Sequence, residues 1–182
     1  MLKDETCKFL NIDYLKTGNK KQIKAYITLT ENKILEKLSA YDPILVGTIP
    51  IHIDIASSDL DIICYVKDMV EFSQTLGLHF RNKAGFTISE NSVLKSTKAN
   101  FFIDGFEFEI FGQNIPTIEQ YAYRHMLIED RLLREKGELF RIEIIKLKKQ
   151  GIKTEPAFAH LLGLKGNPFE ALLQFESDKC HD

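Results

Sequence analysis

The stretch DLDIICYV, at residues 59–66, opens with two acidic residues and continues as an apolar run. Its length and its β-branched and aromatic content predict a buried strand. Strand residues two apart share a face, so we expect the carboxylates of Asp59 and Asp61 to point the same way. Mg²⁺ prefers a few carboxylates, completed by water and substrate phosphates. The stretch therefore predicts a magnesium site at the beginning of a strand.

A shorter apolar run, at residues 44–46, lies upstream and ends at Gly47 and Thr48. Ten residues then separate Thr48 from Asp59. A glycine after a strand lets the backbone come close to a ligand, and backbone amides together with a hydroxyl can hold phosphate oxygens. We interpret this turn as a phosphate cradle beside the acidic pair.

Residues 100–111 predict a β-hairpin, because two apolar runs flank the turn dipeptide Asp104-Gly105. In the second run, Glu107 and Glu109 alternate with apolar residues and so share one strand face. If this strand lies beside the one that carries Asp59, either glutamate can supply a third carboxylate. The sequence does not choose between them, and the alternation is also typical of any half-buried strand with a solvated face.

Helical periodicity and capping signals surround these strands. We expect helices within residues 20–41 and at 66–78, and short strands at 86–88 and 93–95 around a polar turn. A capping box of Thr117 and Gln120 predicts a long helix to about residue 134. A second helix at 138–150 and a capped one after Asn167 follow.

The order helices, sheet, helices predicts an α/β (α+β) domain, with a mixed β-sheet flanked by helices and a helical C-terminal part. The chain has 182 residues, of which 44% are hydrophobic, and this is enough for one compact core. We expect a single domain over residues 1–182. Its catalytic core, with the mixed sheet, covers about residues 1–115, and the helical part covers about residues 116–182.

Composition excludes several functional classes. The formal net charge of -2 argues against DNA binding. We interpret the basic runs at residues 16–24 and 146–153 as solvated helix faces, with a nucleic-acid or phosphate role as the alternative. Cys7, Cys64 and Cys180 lack the spacing of a zinc site or a disulfide framework. No apolar stretch approaches the roughly 20 residues of a membrane helix. We therefore expect a cytoplasmic protein with no membrane partner.

The apolar strand, the Gly-Thr turn, the Asp-Leu-Asp run and the later acidic strand stand in an order that resembles the DNA polymerase beta-like nucleotidyltransferase superfamily. Within that superfamily, the chain resembles a bacterial family of unassigned function. Four stretches, which together span most of the chain, carry this likeness: residues 46–51, 58–62, 106–113 and 154–159.

The resemblance implies a nucleotidyltransferase fold and a site in which two Mg²⁺ ions hold a nucleoside triphosphate such as ATP. Asp59 and Asp61 match the metal ligands of the superfamily. Glu107 is the candidate third metal ligand, and Glu109 is the other candidate for the third catalytic carboxylate. These four acids form the expected catalytic set, with Gly47, Thr48 and Ser58 as the nucleotide-binding set.

The reaction implied is the transfer of a nucleoside monophosphate to a hydroxyl acceptor with release of pyrophosphate. The acceptor is left open as a small molecule, an RNA end or a protein. The alternative function is a catalytically inactive nucleotide-binding or regulatory module of the same fold. In a third interpretation, the apolar C-terminal helices present a surface to a protein partner, although such a face is more simply the core side of those helices.

Two further pairs of polar side chains are candidates for the site. His125 and Glu129 stand four apart on a predicted helix and share a face, which we interpret as packing, with a position in a cleft as the alternative. His52 and Asp54 lie in the loop between the Gly-Thr turn and the acids, where residues are usually only polar.

Overall fold

Five strands form one mixed sheet in the structure, a computed structural model that describes residues 7–176. They are β1 (Ile44–Val46), β2 (Leu60–Tyr65), β3 (Ala84–Asn91), β4 (Ser96–Ile103) and β5 (Phe106–Gln113). Their spatial order is β1-β2-β5-β4-β3, in which β2 and β5 run parallel and the other neighbours run antiparallel. The mixed sheet of the predicted fold class is confirmed.

Residues 7–176 also form seven α-helices. They are α1 (Lys20–Glu31), α2 (Ile34–Lys37), α3 (Met69–Phe80), α4 (Tyr121–Lys136), α5 (Glu138–Lys149), α6 (Thr154–Leu162) and α7 (Pro168–Leu173). The last four form the predicted helical C-terminal part. The organisation of the whole chain as a single domain stays a prediction.

The alternation of side chains along β2 decides where the site lies. Leu60, Ile62 and Cys64 point to one face, where α1 and α3 complete a hydrophobic core. Ile63 points to the opposite face and joins a second core built from the C-terminal helices. Asp61 is two residues before Ile63 and therefore lies on the face that those helices cover.

The structure differs from two predictions, the start of the helix after β2 and the strand at residues 93–95. The helix after β2 begins at Met69, because the side chain of Asp68 accepts hydrogen bonds from the backbone N–H groups of Val70 and Glu71. The expected strand at residues 93–95 is wrong, since β3 continues to Asn91 and a turn follows it. In that turn the Asn91 side chain accepts two backbone hydrogen bonds.

The predicted capping box is also wrong. The Thr117 hydroxyl donates to Asp42 at 2.7 Å, and the Gln120 side chain donates to the backbone carbonyls of Cys64 and Ile115. Helix α4 consequently begins at Tyr121 without a side-chain cap. Contacts to the sheet thus outweigh the local capping signal.

Two remaining expectations concern the cysteines and the membrane. Cys64 is buried in the core as a free thiol, whereas Cys180 lies outside the described residues. Within residues 7–176, none of the helices combines the length and the apolar character needed to cross a bilayer.

Candidate active site

The pairing of β2 with β5 brings acidic residues together. In this parallel pair, Asp61 stands opposite Glu109, one residue after the Leu60–Phe108 pair. Neighbouring residues in register share a sheet face, so the two carboxylates meet there. Asp59, Asp61 and Glu109 all line one cavity of about 380 Å³. The cavity lies between the sheet and the C-terminal helices.

Glu107 occupies a different place. It precedes the first residue of β5 that pairs with β2, and its side chain is exposed. Its Oε1 accepts a hydrogen bond of 3.4 Å from Asn100, and it is not among the residues that line the cavity. Glu109, by contrast, lines the cavity and forms an ion pair of 3.0 Å with Lys98. The geometry favours Glu109 as the third carboxylate.

Gly47 packs against the acidic pair. Its φ of +86° lies in the left-handed region, which glycine adopts without strain. A Cβ atom at this position would stand 2.4 Å from Oδ2 of Asp61. The glycine therefore lets the turn after β1 close over the carboxylate, which is a closer approach than the phosphate cradle alone requires.

Thr48 and Ser58 join the two ends of the intervening loop. Their hydroxyl oxygens are 3.0 Å apart and hydrogen bonded, and Ser58 also accepts the backbone N–H of Ile55 at 2.9 Å. Both residues line the cavity next to Asp59. The hydroxyls are thus held at the cavity, where a triphosphate would need donors.

The loop at residues 49–58 is held in place from both sides. Its backbone carbonyls accept hydrogen bonds from long side chains of α1 and α5, donated by Lys21, Gln22, Arg141 and Lys148. Four of its residues are buried, namely Ile49, Pro50, Ile51 and Ile53. The loop is therefore a packed connection between the Gly-Thr turn and the acids.

The acidic cluster consists of three carboxylates that line one cavity, those of Asp59, Asp61 and Glu109. Burial, together with the nearby charges of Asp59 and Glu109, raises the pKa of Asp61 from its ordinary 3.8 to about 8. Lys148 acts in the opposite direction. Asp61 therefore holds its proton at a place where a bound cation would reduce the repulsion between the three carboxylates.

The opposite wall of the cavity comes from the C-terminal helices. His125 and Glu129 of α4, Lys148 of α5 and Glu155 of α6 all line it. His125 and Glu129 are buried, so the pair occupies the cleft position that was our alternative to simple packing. Burial raises the pKa of Glu129 well above its ordinary value, and the charge of Glu155 adds to this effect.

Lys148 corrects one sequence interpretation. We interpreted the basic run at residues 146–153 as a solvated face, but Lys148 is only 8% exposed and donates a hydrogen bond of 2.9 Å to Ile53. Burial lowers the pKa of its ammonium group from 10.5 to about 8. The available signal was its spacing of four residues from the buried Ile144, which places both on one helix face.

The two loop residues take no direct part in the cavity. The His52 side chain is exposed and does not line it. Asp54 lies 3.8 Å from the Lys21 ammonium group and does not line the cavity either. Their positions agree with the interpretation that they are polar loop residues.

The residues of this cavity fit Mg²⁺ by their chemistry. In the part of the chain that the structure describes, no three His, Cys, Asp or Glu side chains already stand close enough to hold a metal ion. Mg²⁺, however, takes one or two carboxylates and completes its shell with substrate phosphates and water. Asp59 and Asp61, which line the cavity side by side, would supply those carboxylates.

The fold is similar to that of several solved structures, of which two are described. A structure of the Cid1 poly(U) polymerase with Mg and 3′-dATP bound is 11% identical, with a TM-score of 0.52, over 72% of this chain and 41% of that one. The GLD-2/RNP-8 complex is 13% identical, with a TM-score of 0.52, over 87% of this chain and 60% of that one. This chain thus spans less than two thirds of either protein. The likenesses show a nucleotidyltransferase-type fold.

Sequence comparison identifies the family itself. No curated protein matches the chain. The profile of one family matches residues 27–175, which is most of the chain. The bacterial origin implied by the resemblance stays a prediction. The chain belongs to the family described as a domain of unknown function, DUF4269.

Proposed function

We propose that the protein is a Mg²⁺-dependent nucleotidyltransferase that moves a nucleoside monophosphate from a nucleoside triphosphate to a hydroxyl acceptor. One observation carries this proposal: the parallel register of β2 and β5 joins Asp59, Asp61 and Glu109 in a cavity beside the Gly47-Thr48 turn. Carboxylates next to backbone and hydroxyl donors suit a metal-bound triphosphate. The fold supports the same reaction class.

Each group has a distinct role. Asp59 and Asp61 would hold Mg²⁺, which supplies charge neutralisation for the phosphates when bound. The Thr48 and Ser58 hydroxyls, together with the backbone after Gly47, would bind phosphate oxygens. Glu109, rather than Glu107, is the third carboxylate, because it is the one that lines the cavity.

The transfer is a single displacement at the α-phosphorus, in which one bond forms and one bond breaks. The acceptor oxygen forms a bond to the α-phosphorus, and the bond from that phosphorus to the bridging oxygen of the β-phosphate breaks. Pyrophosphate leaves, and the acceptor proton passes to a carboxylate of the cluster. Positioning and charge neutralisation provide most of the rate in such reactions, so we expect the loss of one carboxylate to lower the rate by orders of magnitude.

A matched pair of variants tests this proposal. Glu109→Gln and Glu107→Gln make the same change two residues apart on one strand, but only Glu109 lines the cavity. We expect pyrophosphate release from the active triphosphate, with an acceptor present, to fall at least about 100-fold in Glu109→Gln and to remain unchanged in Glu107→Gln. Equal effects of the two substitutions would contradict the assignment of Glu109 as the third carboxylate.

A thermal-stability measurement, combined with the pyrophosphate assay, separates the enzyme from a binding module. Each nucleoside triphosphate is added with and without Mg²⁺, and the melting temperature is recorded, since a ligand of the folded state raises it. Stabilisation that depends on Mg²⁺ without pyrophosphate release from any acceptor would support the inactive nucleotide-binding module. No stabilisation by any triphosphate would refute both functions.

A further inference from the structure

The wall of the cavity that faces the acidic pair holds a buried carboxylate with an unused oxygen. Glu129 is only 4% exposed and lines the cavity from α4. Its Oε1 has no hydrogen-bond partner among residues 7–176. A buried polar atom without a partner is costly, and such an atom at a cavity is satisfied by a ligand that donates a hydrogen bond.

His125 adds a second acceptor to this wall. Its Nε2 lies 2.9 Å from the backbone carbonyl of Phe169. A carbonyl can only accept, so Nε2 carries the hydrogen, and in the tautomer with this one ring hydrogen Nδ1 is an acceptor. This Nδ1 lies 3.8 Å from Oε1 of Glu155. Two acceptors that face each other at this distance are both satisfied by one donor placed between them.

The charge of the cavity favours a cationic donor. Five carboxylates line it, against one lysine: Asp59, Asp61, Glu109, Glu129 and Glu155 against Lys148. On this wall, Glu129 and Glu155 stand against the single ammonium group of Lys148, so the wall holds one more acidic than basic side chain. An RNA end would bring further phosphates, which these carboxylates repel.

We propose that His125, Glu129 and Glu155 bind a protonated amine and that the hydroxyl acceptor is an amine-bearing small molecule. An ammonium group has several donors and a positive charge, and so it matches both unused acceptors and the net charge of the wall. The assignment of this amine to the acceptor rests on the proposed function. The amine site itself rests only on the geometry of the wall.

The test compares amines with uncharged molecules of similar shape. Glucosamine is compared with glucose, and ethanolamine with ethylene glycol, at tens of millimolar and equal ionic strength. Binding is measured by NMR titration of the full chain, both with and without Mg²⁺ and ATP. We expect at least one amine to bind roughly 10-fold or more tightly than its uncharged counterpart, because hydrogen bonds to charged groups are the stronger ones.

Three variants locate the site. Glu129→Gln and Glu155→Gln should each bring the affinity for the amine close to that for its uncharged counterpart. If one of these variants does not fold, the other is enough for the test. Glu107→Gln, which removes an exposed carboxylate outside the cavity, should leave the preference unchanged. The proposal is overturned if neither amine is preferred in any condition, or if the preference survives in both cavity variants.

The outcomes also separate this proposal from the proposed function. If Glu129→Gln loses the amine preference but keeps Mg²⁺-dependent stabilisation by triphosphate, both stand. If the wild type prefers amines but no triphosphate stabilises it, the amine site stands and the transferase function fails. If a short RNA binds at this wall in place of the amines, so that Glu129→Gln changes its affinity, the amine proposal is wrong and the RNA-end acceptor replaces it.

Discussion

The Asp61→Asn substitution should stabilise the ligand-free protein while it removes the binding of Mg²⁺ and nucleotide. Asp61 has its pKa raised to about 8 by burial and by the charges of Asp59 and Glu109. Between its ordinary value of 3.8 and this folded value, the folded state binds a proton that the unfolded state has released. Folding stability therefore falls as pH rises through this window, and asparagine does not titrate.

The magnitude follows from the width of that window. A tenfold change in proton affinity is worth about 1.4 kcal/mol, so the upper limit at about pH 7 is roughly 4 kcal/mol. Solvent reaches part of the Asp61 side chain, and we therefore expect a gain of roughly 2 to 4 kcal/mol. For a chain of this length, that corresponds to a rise in melting temperature of roughly 4 to 16 °C.

Urea unfolding of both proteins at several pH values measures this gain. It should be small at about pH 5, grow until about pH 8 and then remain constant, because both states of the wild type are ionised above the folded pKa. Glu107→Gln serves as the control for removal of an acid on the solvated part of the sheet. An asparagine variant that is no more stable than the wild type at about pH 8 would refute the account of the acidic cluster.

Two further predictions concern the neighbours of the cluster. Gly47→Ala should abolish Mg²⁺-dependent stabilisation by triphosphate, because its Cβ would stand 2.4 Å from Oδ2 of Asp61. Gly137→Ala has a similar positive φ but open space around it, so it should lower stability by about 1–2 kcal/mol through strain and leave that response intact. Lys148→Met should flatten the pH dependence of stability above about pH 8. The lowered pKa of Lys148 makes the wild type gain stability between about 8 and 10.5, since there the unfolded state holds the proton that the folded state loses. Urea unfolding across this range measures the slope, and an unchanged slope in the variant contradicts the burial of a charged lysine.

The sequence predicts those parts of the fold and site that depend on local pattern. The strand at residues 59–66 and the hairpin around Asp104-Gly105 are confirmed, because alternation and turn residues act over a few positions. The capping box of Thr117 and Gln120 is wrong, since both side chains bind groups distant in sequence. Local preference gives way there to tertiary contacts.

The same distinction applies to the site. The sequence places Glu107 and Glu109 on one face, but only the register between β2 and β5 sets Glu109 opposite Asp61. Glu129 and Lys148 reach the cavity because the C-terminal helices fold over the sheet, and no spacing to the acidic pair reports that contact. The structure was therefore needed to identify the cavity residues that distant segments of the chain contribute.

Binding of a nucleoside triphosphate to the wild-type protein tests the central claim most directly. Calorimetric titrations of the four ribonucleoside triphosphates would be performed in Mg²⁺ and repeated in EDTA. The account predicts that at least one triphosphate binds in Mg²⁺, that EDTA removes this binding, and that Asp59→Asn removes it as well. Binding that is equally strong in EDTA, or unchanged in Asp59→Asn, would contradict a metal-dependent nucleotide site at the acidic pair.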